Sequence, residues 1–432
     1  MLQRTYIKNL KKHIGEEVLI KGSIYALRAQ SSVSFIVLRD ITGTAQVVIV
    51  KNSTPDIFNL VKSLSLETTI SVQGIVKAED KAPNHVEIEA SSISVISPSL
   101  PELPIPVYEK GSETTSNLRH QYRFLDIRKP KNALIMKLSG AFDRYYREFL
   151  TQQGFIEIHT PKLMPTPSES SSDLFEVNYF DRKAYLAQSP QLYKQMAIAG
   201  GLEKVFEVGP IFRAEKSFTT RHATECTCYD VEMAYIKDHE DIIKLEENMI
   251  AFILTKMKEE YGDEVKQLYG IDIKVPETPF PRITMKEAKQ LLGSFDDGSD
   301  LSSEEEKALG DHFAAKGHDF VFLTDFPITA RPFYHKYYED KPCTKSADLI
   351  YKGVEITTLA QREERPDVLV KQLIAKGLGT TDIQWYLDFF KYGVPPHGGW
   401  GLGGSRFLKQ MLNLESIRDT MFLFRGVNHL NP

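Results

Sequence analysis

The sequence predicts an α+β protein in two parts, a small N-terminal β-barrel and a larger, largely antiparallel sheet flanked by helices. Three observations predict it. Runs rich in β-branched residues crowd the stretch before residue 98, a proline-rich segment follows, and beyond it helices and strands mix without regular βαβ alternation. The chain has 432 residues, more than one core accommodates, so two domains or more are expected.

Residues 17–50 read as strands: EVLIKGSIYAL and VSFIVLRD are rich in β-branched and aromatic side chains, and Thr42-Gly43 marks a turn before AQVVIV. TTISVQGIVKA (68–78) and HVEIEASSISVIS (85–97) continue the pattern. Between the third and fourth strands, TPDIFNLVKSL (54–64) has the apolar spacing of one short helix. Five strands with a helix in that place form the arrangement of an OB-fold, a common oligonucleotide-binding barrel, although any small β-barrel fits the same pattern. The four prolines of PSLPELPIPVY (98–108) mark a linker. LIMKLSGAFDRYYREFLTQQ (134–153) then shows helical periodicity, and GFIEIHTPKL reads as a strand ending at Pro161. The acidic segment DDGSDLSSEEEKALGDHFAAKG (296–317) reads as a solvated loop and helix on the surface. The domain expectation is 1–97 for the barrel, 98–132 for a linker and 133–432 for the larger domain.

Composition narrows the class. Hydrophobic residues make up 42% and charged residues 26%, the balance of a globular protein. The net charge of −5 gives no support to nucleic-acid binding, but a local basic face is enough for it. Three cysteines exclude a disulfide framework and suggest a reducing compartment. Cys226 and Cys228 form a lone C-x-C with no second pair at zinc spacing. The N-terminus MLQRTYIKNLKK lacks an apolar h-region, and no stretch approaches the length of a membrane span, so the cytoplasm is the expected location. No GxxxxGK[ST] occurs, so any nucleotide is held without a P-loop.

Four segments set polar residues within apolar flanks. In YLAQSPQLYKQ (185–195) a strand runs through a polar turn into a helix that presents Gln191 and Lys194 one turn apart; a lone lysine there can equally be a solvated helix cation. VFEVGPIFRAEKSFTTRHATECTCYDVEMAYI (205–236) reads as a hairpin around a polar loop carrying Arg213, Glu215, Arg221, His222 and Glu225. Arg213 lies among Ile211, Phe212 and Ala214, where a charge needs a buried partner or a ligand. Asp230 and Glu232 alternate with Val231 and Met233, so both carboxylates face one side of the sheet and repel unless cations or an amine lie above them. In SADLIYKGVEITTLAQR (346–362), Asp348 and Glu355 flank a Lys352-Gly353 turn, either as ordinary edge acids or as a pair able to hold Mg²⁺ together with phosphate oxygens. In PPHGGWGLGGSRFLKQML (395–412), a glycine-rich strand turns into a helix at Arg406, an arrangement that suits a nucleotide.

The order, spacing and residue types of these four segments resemble the three signature motifs of class II aminoacyl-tRNA synthetases plus an amino-acid-binding segment. The resemblance spans nearly the whole chain and is closest to aspartyl enzymes of the compact archaeal type. It implies an N-terminal anticodon-binding OB domain, a catalytic antiparallel sheet flanked by helices, ATP and Mg²⁺, tRNA-Asp as partner, and a homodimer built on the helix–strand unit ending at Pro161. Residue by residue, it implies that Arg213 binds the α-phosphate, Glu215 the adenine end, and Arg221 and His222 the triphosphate. Arg406, with Gly403 beside it in GLGGSRF, matches the arginine that meets adenine and γ-phosphate. Glu355 matches the principal Mg²⁺ ligand, with Asp348 and Thr358 as its helpers. The catalytic set is thus Arg213, Glu355 and Arg406.

For aspartate, the resemblance assigns Lys194 and Arg362 to the substrate's side-chain carboxylate and Glu169, Gln191 and Asp230 to its amino group and backbone. Arg213 and Thr358 complete that pocket. Two cations over one carboxylate also make physical sense, because asparagine would leave that charge unneutralised. In the barrel, Phe35 and Gln46 match the positions that stack on and hydrogen-bond the central anticodon base, with Arg28 and Glu87 nearby. Tyr25 and the KAPN loop lie where the third base is read, and Pro83 resembles members that also charge tRNA-Asn. The chain departs from the family at Leu359 (usually glycine), Ser405 (usually glutamate), Cys226 (phenylalanine in some members), its FLFRGVNHLNP ending, and a missing histidine after QR. The nearest rival is an asparaginyl enzyme; a tRNA-binding paralogue without catalysis and an amide-forming relative stand further off.

Overall fold

The computed structural model describes residues 2–108, 114–166, 174–216, 219–295 and 298–431. The chain divides into two compact units, Met1–Lys129 and Pro130–Pro432. Among the described residues, no helix is long and apolar enough to cross a membrane.

In the first unit, β1 (Glu17–Ala29), β2 (Val33–Asp40), β3 (Gly43–Val50), β4 (Thr69–Ala78) and β5 (Val86–Ser97) close a barrel in the order β1-β2-β3-β5-β4. The helix Pro55–Val61 joins β3 to β4, its proline set in the first turn, where the missing N–H costs nothing. Its Phe58 and Val61 are buried with inward residues such as Ile36, Leu38 and Val47, while Phe35 and Val37 alternate to the outer face. This is the OB-fold arrangement read from the strand pattern.

The second unit is built on β6 (Ile156–Glu157), β10 (Lys204–Phe212), β11 (Glu225–Ala234), β12 (Arg282–Thr284), β13 (Phe320–Thr324), β14 (Ser346–Tyr351), β15 (Val354–Gln361) and β16 (His397–Leu402). They form one sheet in the order β12-β13-β14-β15-β16-β11-β10-β6, antiparallel except at the two outer pairs. A smaller sheet holds β7 (Leu163–Met164), β8 (Glu176–Tyr179) and β9 (Arg182–Leu186). The helices Pro130–Gln152 and His239–Tyr269 bury Phe142, Tyr146, Ile250 and Leu254 in one core with Trp400 and Phe407. The longer helix is delimited at both ends. Asp238 accepts from the Glu240 N–H, and Gly270, at φ 70°, supplies the left-handed residue at its end.

Two expectations need correction. The strand expected to run to Pro161 pairs with β10 over two residues only. Its pairing stops because the Thr160 N–H turns to the Glu207 carboxylate at 2.9 Å. The acidic segment 296–317 is not simply a solvated surface piece. Its helix Ser303–Ala314, capped by Ser302 and Glu305, buries Leu309 and Phe313 in a core shared with Val321 and Leu323 of β13.

Candidate active site

The β10–β11 hairpin puts Asp230 and Glu232 side by side under cover, 3% and 0% exposed. The cations that such a pair requires come from two other elements. Lys194, on the helix Gln191–Ala199, is 2% exposed, so it is no solvated helix cation. Its Nζ donates to Asp230 Oδ1 and to the Trp400 carbonyl, both at 2.9 Å, and lies 3.4 Å from Glu232 Oε2. Arg362, one residue beyond β15, donates from Nε to Glu232 Oε1 at 3.0 Å and from Nη2 to the Gly399 carbonyl at 3.0 Å. Burial alone would raise the Glu232 carboxyl, but Arg362 and Lys194 outweigh it and hold the group below its ordinary value. Gln191, next to Lys194, donates to Gln195 at 3.0 Å. β16 can approach because it carries glycine: a Cβ on Gly399 would stand 1.8 Å from the Val231 oxygen.

A second set of charges lines the same cavity of about 450 Å³. Arg406, at the start of the helix Gly404–Met411, donates to the Glu355 carbonyl at 3.0 Å and stands 3.4 Å from its carboxylate. Glu355 also accepts from the Thr358 hydroxyl at 3.1 Å. Burial works upward on Glu355, but Arg406 and Arg331 hold it below the usual value. His222 lies 3.5 Å from Arg406 and 3.8 Å from Glu215; burial, with Arg406 and Arg213 nearby, lowers its pKa against the pull of Glu215. Arg213 is 3.7 Å from Glu215. It does not have the buried setting that its apolar neighbours suggested: its side chain is 44% exposed, because β10 ends at Phe212 and the loop lifts away. Arg221 donates to Glu306 at 2.7 Å, a partner supplied by the helix that was read as surface.

Gln191, Lys194, Asp230 and Arg362 therefore share one cavity with Arg213, Arg221, His222, Glu355, Thr358, Gly403 and Arg406. Ser405 and Cys226 line it too. Glu215 touches its residues without lining it, and Glu169 lies outside the described residues. Asp348 does not itself line the cavity, although its cross-strand partner Thr358 does. It pairs with buried Arg331 at 2.5 Å, and burial, with Glu355 adding to it, pushes its pKa up to about 8 against that arginine. Its Oδ1 has no partner among the described residues, where no three metal-binding side chains gather. An ion of the Mg²⁺ type takes one or two carboxylates and otherwise phosphate oxygens, so Glu355 with a nearby under-neutralised Asp348 fits it.

The sequence reading missed Arg331, Tyr334 and His335, which line the cavity from the segment RPFYHK. Its available signal was an arginine and a histidine set among aromatic residues.

In the barrel, Arg28 pairs across strands with Phe35, and Gln46 pairs with Glu87 and donates to it at 3.0 Å. All four lie on the outer side of adjacent strands, Phe35 half-buried and Arg28 exposed. Pro83 is exposed in a turn where Asn84 and His85 take φ of 59° and 57°. Tyr25 sits at the irregularity in β1, under the Arg39 guanidinium.

Residues 115–425 match the family described as tRNA synthetases class II (D, K and N), and residues 18–96 match the OB-fold nucleic acid binding domain. The chain is 41% identical to the aspartate–tRNA(Asp/Asn) ligase of Methanopyrus kandleri, over 97% of this chain and 96% of that protein. It is 40% identical to the aspartate–tRNA(Asp) ligase of Pyrococcus abyssi over the full length of both. Among solved structures, the asparaginyl-tRNA synthetase of Pyrococcus horikoshii in complex with asparaginyl-adenylate superposes with a TM-score of 0.94 at 33% identity, covering both chains completely. With its catalytic sheet and its barrel both matched, the chain belongs to the class II tRNA synthetases of the D, K and N group.

Proposed function

We propose that this protein ligates L-aspartate to tRNA-Asp, using ATP and passing through an aspartyl-adenylate. The observation that carries the reading is the pair of buried cations, Lys194 and Arg362, opening on the same cavity as Arg213 and Arg406. The names of the M. kandleri and P. abyssi relatives support it. Residues 1–97 serve as the anticodon-binding domain, 98–132 as the hinge and 133–432 as the catalytic domain, in the cytoplasm. A homodimer through the helix–strand unit ending at Pro161 belongs to the same reading, and the exposure of Ile156 supports it.

The chemistry follows from charge. The α-carboxylate of aspartate attacks the α-phosphorus in line, an O–P bond forms, and pyrophosphate leaves. No protein base is needed, so the residues position the reactants and neutralise charge. Arg213 steadies the α-phosphate, Arg221 and His222 the phosphates beyond it, and Arg406 the adenine and γ-phosphate. Glu215 meets the adenine end, and Gly403 leaves it room. Glu355, Thr358 and Asp348 would hold Mg²⁺, which supplies neutralisation of the phosphate oxygens when bound. Asp230, whose Oδ2 has no partner among the described residues, takes the ammonium group with Gln191 and Glu169. The 3′-terminal ribose hydroxyl of tRNA then attacks the adenylate carbonyl and AMP leaves. On the barrel, Phe35 stacks on the central anticodon base, while Gln46, Glu87 and Arg28 make its polar contacts.

Amino-acid-dependent ATP–pyrophosphate exchange tests the reading. Exchange with aspartate and not with asparagine is expected, and the reverse would overturn the proposal. Exposed Pro83 extends it to tRNA-Asn. Aspartate should be charged onto both tRNA-Asp and tRNA-Asn transcripts, and absence of product on tRNA-Asn would remove that extension alone.

A further inference from the structure

His335 lines the cavity beside Arg362 and is 2% exposed. Its Nε2 lies 3.2 Å from Arg362 Nη1. A guanidinium carries only donors, so Nε2 is the acceptor and bears no hydrogen. The ring hydrogen is therefore on Nδ1, which is buried and has no partner among the described residues. The ring is held in place through its backbone: its N–H donates to the Pro332 carbonyl at 3.2 Å, and its carbonyl accepts from Gln372 at 2.9 Å. Burial, with Arg362, Arg331 and Lys194 around it, keeps the imidazole neutral by holding its pKa well below the ordinary value. A buried, fixed donor with no acceptor among the described residues calls for one on a ligand.

We propose that His335 is a specificity residue of the amino-acid pocket: Nε2 orients the Arg362 guanidinium, and Nδ1–H is kept for the side-chain carboxylate of the bound amino acid. The proposal rests on the reading that this cavity takes aspartate. A carboxylate offers acceptors on every side, so it satisfies Arg362, Lys194 and His335 together. A carboxamide has one acceptor and an NH₂ group. Against three donors, that NH₂ must face an N–H and leave it unpaired. His335 differs from the two cations in that its donor is unspent, whereas Lys194 and Arg362 already bond to Asp230 and Glu232.

The test compares His335→Phe, which fills the space but removes both nitrogens, with His335→Gln, which keeps one acceptor and one donor. Each full-length variant is assayed by ATP–pyrophosphate exchange with aspartate and with asparagine. His335→Phe should raise KM for aspartate by roughly tenfold or more and cut the aspartate-over-asparagine preference by a similar factor, with kcat and KM for ATP little changed. His335→Gln should recover most of both losses. An unchanged KM for aspartate, or Gln no better than Phe, would overturn the proposal while leaving aspartate activation intact. A wild-type enzyme that activates asparagine and not aspartate would overturn both readings. Should the Phe variant fail to fold, nitrogen-15 histidine spectra of the wild-type protein decide. A neutral ring protonated on Nδ1, shifting when aspartate is added, supports the assignment; a ring protonated on Nε2 or on both nitrogens rejects it.

Discussion

The two sets of charges that share the cavity are built in opposite ways. Around Lys194 and Arg362, two cations face two carboxylates at 2.9 to 3.4 Å, and all four side chains are at most 4% exposed. Around Arg406 the spacings are wider: 3.4 Å from Arg406 to the Glu355 carboxylate, 3.5 Å from Arg406 to His222, and 3.7 and 3.8 Å from Arg213 and His222 to Glu215, and side-chain exposure reaches 44% at Arg213. A charge taken out of water must be paired by the protein itself, so each charge of the first set already has an opposite charge beside it before any ligand arrives. A charge that keeps its water can wait for a partner, so the second set is open to a polyanion. The division suits the two substrates. Telling one side-chain carboxylate from a carboxamide takes donors that cannot move or be screened, whereas holding a triphosphate takes charge more than exact geometry.

The contrast is broken or kept by a pair of substitutions. Lys194→Ala leaves Asp230 and Glu232 buried with Arg362 as their one close ion-pair partner among the described residues. It should cost about 3–5 kcal/mol of stability, measured by denaturant unfolding, and abolish aspartate-dependent exchange. Arg406→Ala should lower exchange by roughly 10²- to 10³-fold while changing stability by no more than about 0.5 kcal/mol. Equal losses of stability in the two variants would mean that the two sets do not differ as their exposures indicate.

The local motifs of this architecture were legible because each rests on period or position. The barrel strands announce themselves by alternation, and Lys352 and Gly353, both at positive φ, close the β14–β15 hairpin where the turn was read. The alternation of Asp230 and Glu232 forecast cations above them, and Lys194 and Arg362 occupy that place. What the chain did not disclose depends on contacts far apart in sequence. Glu306 meets Arg221 across 85 positions, and Asp348 meets Arg331, which lines the cavity from a separate segment. Neither pairing has a local signature. Arg213 misled for a related reason: apolar neighbours signal burial only while the strand continues, and β10 stops one residue before it.

A smaller effect probes the ground behind the looser set. Glu246, on the helix His239–Tyr269, is fully buried behind β15. Burial, reinforced by Asp348 and Glu247 and opposed by the Thr357 hydroxyl, pushes its pKa up to about 8 from an ordinary 4.5. The folded protein therefore keeps a proton on Glu246 between these values, whereas the unfolded chain has lost it. Stability must then fall as pH rises through that window, by up to about 1.4 kcal/mol per pH unit from this group. Glutamine imitates the protonated form and does not titrate. Glu246→Gln should thus match wild type near pH 5 and grow progressively more stable than wild type towards pH 8, with exchange activity unaffected. Urea unfolding of both proteins across this range measures the difference. A difference that stays flat with pH would show Glu246 ionised in the fold, and the carboxylates behind the phosphate set would then need a cation even before ATP binds.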